Sequence, residues 1–311
     1  MSPLITGSLA FDYLMRIEEP FNNQFPTTAQ EFSAAYIAPT LSRVFGGCAG
    51  NITYALQHLG EQPQLMATAG NDFSPYADYL HQMGVSTEHV IMLPDFYTAQ
   101  AYVVTDCNHS QFIVFHPGAT AEAHRQDISI LPPPPLAIIS PNGKAGILQH
   151  CRTCAETNIP FIFDPGQAIS LFSGEEIKEC LTLAPYAIFN KGEWETAQRA
   201  SGLNITETTK MLKALFITNG EAGSQAFIGT DTLQATCVHL GETKNPTGCG
   251  DAYRAGLIYG LMRNWEWQSL LNFATVVAAT CATHDSGQGY PLSLAAVSEA
   301  YQQHYNSALP Q

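Results

Sequence analysis

Short apolar runs that each end on a polar residue recur along this chain. Leu4-Ile5-Thr6-Gly7-Ser8-Leu9-Ala10 reads as a buried strand whose exit carries Asp12 into a long irregular segment. Pro160-Phe161-Ile162-Phe163-Asp164, Tyr186-Ala187-Ile188-Phe189-Asn190 and Ala214-Leu215-Phe216-Ile217-Thr218 repeat the pattern, with helical stretches between them. Such runs predict a parallel sheet buried on both faces, and ligands bind outside the carboxyl ends of its strands. Asp164, Asn190 and Thr218 are therefore predicted to line one crevice. Gly46 to Asn51 leads into a helix through Leu59, followed by a strand (Leu65 to Thr68) and a helix (Pro75 to Met83). Further helices are predicted over Ala252 to Leu261, Trp265 to Thr283 and Leu294 to Tyr305.

Other segments depart from that pattern. From Ile17 to Phe45 the chain is rich in Pro, Asn, Thr and aromatics with little periodicity, an excursion from the main layer that reads as a lid. Thr98 to Thr105 and Gln111 to Phe115 alternate well enough to pair around Asp106-Cys107-Asn108, extending that lid as a sheet. Pro132 to Pro135 form a stiff connector into the strand Leu136 to Ser140, and Gly223 to Ile228 with Thr232 to Val238 form a further hairpin. The organisation expected is one α/β domain over residues 1–311, with lid segments near 12–45 and 98–118.

Composition narrows the function classes. At 311 residues and 45% hydrophobic content the chain can bury a large core. Its 27 acidic against 13 basic residues give a net charge of −14, and no Lys/Arg run occurs, which argues against nucleic-acid and anionic-membrane partners. Met1-Ser2-Pro3-Leu4 lacks the features of a signal peptide and no apolar run reaches membrane-spanning length, so a cytoplasmic protein is expected. The eight cysteines then read as scattered reduced thiols. Cys151 and Cys154, beside His150, are expected to be helix residues rather than a zinc or redox pair.

The chemistry concentrates in Asn245-Pro246-Thr247-Gly248-Cys249-Gly250-Asp251, which opens the Ala252 helix. Gly248 and Gly250 permit a tight turn, so the N–H groups of Gly248, Cys249 and Gly250 can converge with the positive helix end on one anion. Asp251 stands at the rim of that cradle. A carboxylate there suits a base that takes a proton from a hydroxyl attacking a phosphorus held in the cradle, which implies phosphoryl transfer. The plainer alternative is a capped helix start with turn glycines.

Gly46-Gly47 followed by Asn51, Asn190-Lys191-Gly192-Glu193, Thr218-Asn219-Gly220-Glu221-Ala222-Gly223 and Thr247-Gly248-Cys249-Gly250-Asp251 stand in the order and spacing of four family signatures. Over nearly its whole length the chain resembles the ribokinase-like (PfkB) carbohydrate kinases, which include adenosine and other nucleoside kinases. Gly7-Ser8 with Asp12, Phe45 to Asn51, Thr98 to Ala101, Phe115 to Ala119 and Phe163 to Gln167 are similar to bacterial nucleoside kinases, the adenosine and inosine-guanosine kinases among them.

The resemblance implies a three-layer α/β sandwich with a mainly parallel central sheet, helices on both faces and a small β-sheet lid. It implies that Asp251 is the base, with Gly248, Cys249 and Gly250 neutralising the transferred phosphoryl group. Asp12 and Asn51 would grip sugar hydroxyls, with Gly46 and Gly47 as a hinge that lets the backbone approach the sugar. Asn190, Thr218, Gly220, Gly223, Thr247 and Gly287 would contact ATP, and Glu193 with Asn190 would hold Mg²⁺ through water. The Asn190–Glu193 spacing is also that of a helix capping box. The family's lid strands often pair with a second subunit, so a homodimer is implied. Asn245-Pro246 replaces the family's frequent Asp-Thr, and the lost carboxylate leaves the monovalent cation undecided. Cys249 replaces the usual Ala at a helix N-terminus, where a thiol pKa falls and alkylation could inactivate the enzyme; the alternative is a buried small residue. Arg254, one turn beyond Asp251, could reach a phosphate or Asp251, or lie on the surface.

A nucleoside also needs a slot for its base. Phe21, Phe25, Phe32, Tyr36 and Phe115 are the candidate stacking residues, and Gln100 and Gln167 could read a purine edge; the aromatics could equally form the lid's own core. The function expected is ATP-dependent phosphorylation of the 5′-hydroxyl of a purine nucleoside such as adenosine, inosine or guanosine. The alternatives are a ribose or fructose kinase and, in another class, a non-catalytic nucleotide-binding regulator.

Overall fold

The apolar runs of the sequence form the interior of a nine-stranded sheet of order β13-β12-β11-β10-β9-β8-β1-β4-β5. The structure, a computed structural model, describes residues 2–21, 35–108 and 110–310. From β10 to β5 the neighbours are parallel: β10 (Tyr186–Asn190), β9 (Phe161–Phe163), β8 (Ala137–Ile139), β1 (Leu4–Thr6), β4 (Gln64–Gly70) and β5 (Val90–Leu93). β11 (Ala214–Thr218) continues this parallel run, and β12 (Ser224–Ile228) and β13 (Asp231–Ala235) close the edge as antiparallel strands.

Residue alternation divides the strands between two cores, as burial on both faces requires. Ile5, Ile138, Ile162, Ile188 and Phe216 point to one face, covered by α1 (Cys48–His58), α2 (Ser74–Gln82), α7 (Cys249–Leu261), α8 (Trp267–Ala282) and α9 (Leu294–Tyr305). Leu4, Ile139, Phe161, Phe163, Phe189 and Leu215 point to the other, covered by α3 (Lys144–Glu156), α4 (Gly174–Leu183) and α5 (Lys191–Ser201). A short helix α6 (Ile205–Thr209) precedes β11. Cys151 and Cys154 are buried, free residues of α3.

A second sheet of order β3-β2-β6-β7 stands apart from the first. It is built from β2 (Ala10–Arg16), β3 (Thr40–Gly46), β6 (Ala99–Thr105) and β7 (Gln111–His116). The first predicted strand is therefore two: β1 ends at Thr6, Gly7-Ser8 bends the chain, and Ala10 starts β2. Asp12 lies inside β2, paired with Val44 and Ala101, and not in an irregular segment. β3 escaped the pattern because most of it is exposed, so no apolar alternation marks it. Phe25 and Phe32 lie outside the described residues. Among the described residues no helix is long and apolar enough to cross a membrane.

Candidate active site

A glycine and a helix start shape the turn expected to cradle an anion. Gly248 precedes α7 with φ 85°, and a Cβ on it would stand 2.3 Å from the Gly287 Cα, so no side chain fits there. The first intrahelical bond runs from the Ala252 N–H to the Gly248 carbonyl at 2.9 Å, which leaves the Gly250 and Asp251 N–H groups at the open end of the helix. Three converging amides were expected from Gly248, Cys249 and Gly250, but the Cys249 N–H donates to the Pro246 carbonyl at 3.2 Å and is used by the turn itself.

Asp251 is buried beside this opening. Asn51 reaches it from α1, Nδ2 donating to Asp251 Oδ2 at 2.8 Å, while Asn51 Oδ1 accepts from Gln288 Nε2 at 2.9 Å. Both ends of the Asn51 carboxamide are thus engaged by protein groups, where sequence reasoning had assigned them to sugar hydroxyls. Burial pushes the Asp251 carboxyl up to about 6, against the lowering effect of the Arg254 cation and the Asn51 hydrogen bond.

Arg254 is buried, not a surface residue. Its Nε and Nη2 donate to the two oxygens of Asp164 at 2.5 and 2.6 Å, and its Nη1 lies 2.9 Å from where a Cβ on Gly250 would stand. Asp164 is fully buried in this pair, so it does not line an open crevice as its strand-end position predicted. Asn190 and Thr218 do sit side by side at the ends of β10 and β11.

Asp12 comes from the second sheet. A Cβ on Gly46 would meet Asp12 Oδ2 at 2.3 Å, so glycine is what admits the carboxylate at the root of β3. Burial, and then the charge of Asp251, push the Asp12 carboxyl up to about 6. Asp12 pairs with Ala101, and Ala101 with Phe115, so Asp12 and Phe115 share one row and one face, two strand spacings or about 10 Å apart. Gln100 falls in the neighbouring row and faces the other way. Its Nε2 donates to Asp72 Oδ2 at 3.3 Å and its Oε1 accepts from the Tyr102 hydroxyl at 2.5 Å, so the structure does not bring Gln100 to the cluster. Phe115 and Gln167 line a pocket with Ser8, Asn142 and Lys144. Phe21 and Tyr36 instead contact each other edge to face, with centroids 6.0 Å apart.

A second pocket adjoins the opening of α7. Thr218, Gly220, Gly223, Cys249 and Gly250 are among its walls. Asn190, Thr247 and Gly287 are not; Thr247 is exposed, its N–H donating to Asn245 Oδ1 at 2.9 Å, and Gly287 packs against Gly248 and Asn51. Asn190 and Glu193 form the capping box of α5: the Glu193 N–H donates to Asn190 Oδ1 at 2.8 Å and the Asn190 N–H to Glu193 Oε2 at 2.7 Å. Burial raises the Glu193 carboxyl, with Asp164 and Asp251 adding to the effect and Arg254 opposing it.

A glycine-started helix with a buried carboxylate in its first turn, beside a pocket and near a carboxylate from a separate small sheet, is the layout of a ribokinase-like phosphotransferase. Residues 23–293 match the pfkB family of carbohydrate kinases, and the chain belongs to that family. It is 26% identical over 289 residues to a nucleoside kinase of Methanocaldococcus jannaschii, an alignment covering 89% of this chain and 91% of that one. Its structure is similar to that of Burkholderia thailandensis nucleoside kinase in complex with inosine, with a TM-score of 0.92, 35% identity and all of both chains covered. The ADP-inosine complex of the same enzyme gives a TM-score of 0.89 at 35% identity, covering 99% of this chain and 97% of that one.

Sequence reasoning missed Tyr76 and Gln288 and the pairing of Asp164 with Arg254. Tyr76 is buried and donates to the Gly46 carbonyl at 2.9 Å. No motif marks either residue, because both owe their place to contacts between distant segments.

Proposed function

We propose that this protein is an ATP-dependent kinase that transfers the γ-phosphoryl group to the 5′-hydroxyl of a purine nucleoside such as inosine, adenosine or guanosine. The observation that carries the reading is the row Asp12–Ala101–Phe115 on the lid face together with Asp251 at the α7 opening. A carboxylate that accepts sugar hydroxyls and an aromatic ring about two strand spacings away match the two ends of a nucleoside. The nucleoside kinase relatives, one of them bound to inosine and to ADP with inosine, support the same assignment.

In this reading Asp251 takes the proton of the 5′-hydroxyl. The hydroxyl oxygen forms a bond to the γ-phosphorus, the bond from that phosphorus to the β–γ bridging oxygen breaks, and ADP leaves with the electron pair. With a carboxyl near 6, Asp251 is ionised at neutral pH and close enough in pKa to serve as a general base. The Gly250 and Asp251 N–H groups and the start of α7 stabilise charge on the transferred group, and Arg254 holds a fixed positive charge below them. Thr218, Gly220 and Gly223 flank the nucleotide in the adjoining pocket. Four carboxylates, Asp12, Asp164, Glu193 and Asp251, share this region with the Arg254 cation, an excess of negative charge that fits a divalent cation. Mg²⁺ carried by the triphosphate and held through water by Glu193 and Asn190 would neutralise charge on the phosphate oxygens.

ADP formation from MgATP with adenosine, inosine, guanosine, cytidine, ribose and fructose offered singly tests the reading, with Asp251→Asn as the blank. Turnover on purine nucleosides is expected; turnover on free sugars alone would return the ribose or fructose kinase reading, and ADP release with none would favour a regulator. We also propose a homodimer formed through the second sheet, whose edge strand β7 exposes Ile113, Val114 and Phe115. A monomer mass in solution at micromolar concentration would count against it.

A further inference from the structure

We propose that Gln288 is a positioning residue that holds the Asn51 carboxamide in the one orientation in which its Nδ2 reaches Asp251, and that ties this orientation to the lid hinge at Gly46. The inference rests on the reading of Asp251 as proton acceptor. A continuous hydrogen-bond chain carries it. The Tyr76 hydroxyl donates to the Gly46 carbonyl at 2.9 Å, Gln288 Nε2 donates to the Tyr76 oxygen at 2.6 Å and to Asn51 Oδ1 at 2.9 Å, and Asn51 Nδ2 donates to Asp251 Oδ2 at 2.8 Å. Asn51, Gln288 and Tyr76 are all buried, at 5%, 5% and 0% exposure, so water cannot readily replace any link.

The direction of the bonds is set from the Gly46 end. A backbone carbonyl can only accept, so the Tyr76 hydroxyl donates to it and accepts from Gln288 Nε2, whereas the Asp251 carboxyl accepts when ionised and can donate when protonated and so does not by itself orient Asn51. An asparagine side chain has nearly the same shape either way round, and sterics alone do not choose which end faces Asp251. Gln288 Nε2 makes the choice, because an N–H₂ group must face the Asn51 oxygen. Gln288 Oε1, by contrast, is buried without a hydrogen-bond partner among the described residues. An apolar side chain of the same size would avoid that cost, so this amide serves the network and not packing.

The geometry also joins the hinge to the catalytic carboxylate. Gly46 ends β3 and sits against Asp12, and Asn51 occupies the first turn and a half of α1, directly after the hinge. The Tyr76 ring is enclosed by Phe11, Phe45 and Phe73 with centroids 4.6–5.9 Å away, which places the middle of the chain in rigid packing. The outcome for Asp251 has a definite sign. Its charged neighbours are Arg254 on its own helix, Asp164 at the end of β9, Asp12 from the lid and Glu193 from α5. Its other titratable neighbours are the thiols of Cys48, Cys249 and Cys281 and the phenols of Tyr76 and Tyr290. The Cys48 thiol also hydrogen-bonds to Asp251 with a smaller effect in the same direction, so the Asn51 hydrogen bond is the main one that favours the ionised carboxyl. Without Gln288 the carboxamide is free to turn its oxygen to Asp251, and the carboxyl becomes harder to ionise.

The experiment is the pH profile of kcat/KM, measured with MgATP and the fastest acceptor of the nucleoside panel, for Gln288→Met and Gln288→Leu. Both variants fill the site, and a melting curve establishes which of them is folded. The expected result is an acid limb displaced upward by about one pH unit, the size of a lost hydrogen bond to a charged group. Tyr76→Phe removes the link to Gly46 and one of the two acceptors that hold Gln288 Nε2 but keeps the bond between Gln288 and Asn51, so its acid limb is expected to move upward by less than that of the Gln288 variants. A folded Gln288 variant with a wild-type acid limb overturns the inference, as does an equal displacement in Tyr76→Phe. An Asp251→Asn enzyme that retained turnover would instead remove the base reading, a different failure with a different signature.

Discussion

Arg254 and Asp164 meet through a two-pronged hydrogen-bonded pair, buried between the end of β9 and the first turns of α7. Parallel N–H donors on two carboxylate oxygens fix both position and rotation of the guanidinium, so the third nitrogen is held at Gly250. Arg254→Met leaves Asp164 uncompensated, and breaking a buried pair from one side costs about 3–5 kcal/mol. We expect a loss of that size in urea unfolding and reduced turnover in whatever fraction remains folded. Arg254→Lys keeps the charge but not the fork, and is expected to recover part of the stability and little of the rate. Wild-type turnover from Arg254→Met would separate this pair from the anion cradle.

Asp251 should cost the protein stability at neutral pH. Its folded-state carboxyl, near 6, lies above the ordinary 3.8, so the folded protein binds that proton more tightly than the unfolded chain. The contribution is therefore fully present below about pH 4 and is lost as pH rises through 6. Asp251→Asn is expected to be more stable than wild type at pH 7, by on the order of 3 kcal/mol, with the gap closing between pH 6 and pH 4. The comparison must be a difference between the two proteins. Burial pushes His150 down to about 4, which works in the opposite sense as pH falls through 6.5 and masks the effect in wild type alone. Chemical denaturation of both proteins across that pH range checks the sign, and a gap that widens on acidification would contradict it.

How much could be read beforehand depended on whether a signal was local. β10 and β11 were bounded to the residue because each is an apolar run closed by a polar residue and flanked by helices. The turn into α7 was legible for the same reason, since Gly248, Gly250 and Asp251 fall within four successive positions. β3 was not, because a strand exposed along most of its length carries no period. The Asn51–Asp251 contact spans 200 positions and the Gln288–Asn51 contact 237, and no local pattern encodes which of two distant amides will meet. Gln100 misled for a related reason. Its residue type suited base recognition, but the period of two along β6 turns it away from the face that Asp12 and Phe115 share.

Cys249 offers a chemical probe of the pocket proposed to hold the nucleotide. It opens α7, lines that pocket, and has its thiol pKa lowered by a hydrogen bond with Cys281, despite partial burial. The thiolate is the reactive form, so Cys249 is expected to react with iodoacetamide ahead of the buried thiols of Cys151, Cys154 and Cys180. MgATP should slow that reaction and Cys249→Ala should resist inactivation while keeping turnover. Peptide mass mapping locates the label; ATP-insensitive labelling of Cys249 would place the nucleotide elsewhere.

Phe115 decides between a base slot and lid core. It is 47% exposed, shares the face of Asp12, and lines the pocket that also holds Gln167. A ring left this open contributes little to folding, so Phe115→Ala is expected to melt within a few degrees of wild type. Stacking of a base on an aromatic ring contributes about 1–3 kcal/mol, and its loss raises the nucleoside KM by about 5- to 150-fold. The KM for ATP should stay unchanged, because the pocket proposed for the nucleotide is a separate one, lined by Thr218 and Gly223 and not by Phe115. Gln100→Ala serves as the matched control: it lies one residue before Ala101 but on the opposite face, and its nucleoside KM should match wild type. Were the two variants to raise KM equally, the whole sheet and not the Asp12–Phe115 face would be responsible, and the assignment of the base to Phe115 would fall.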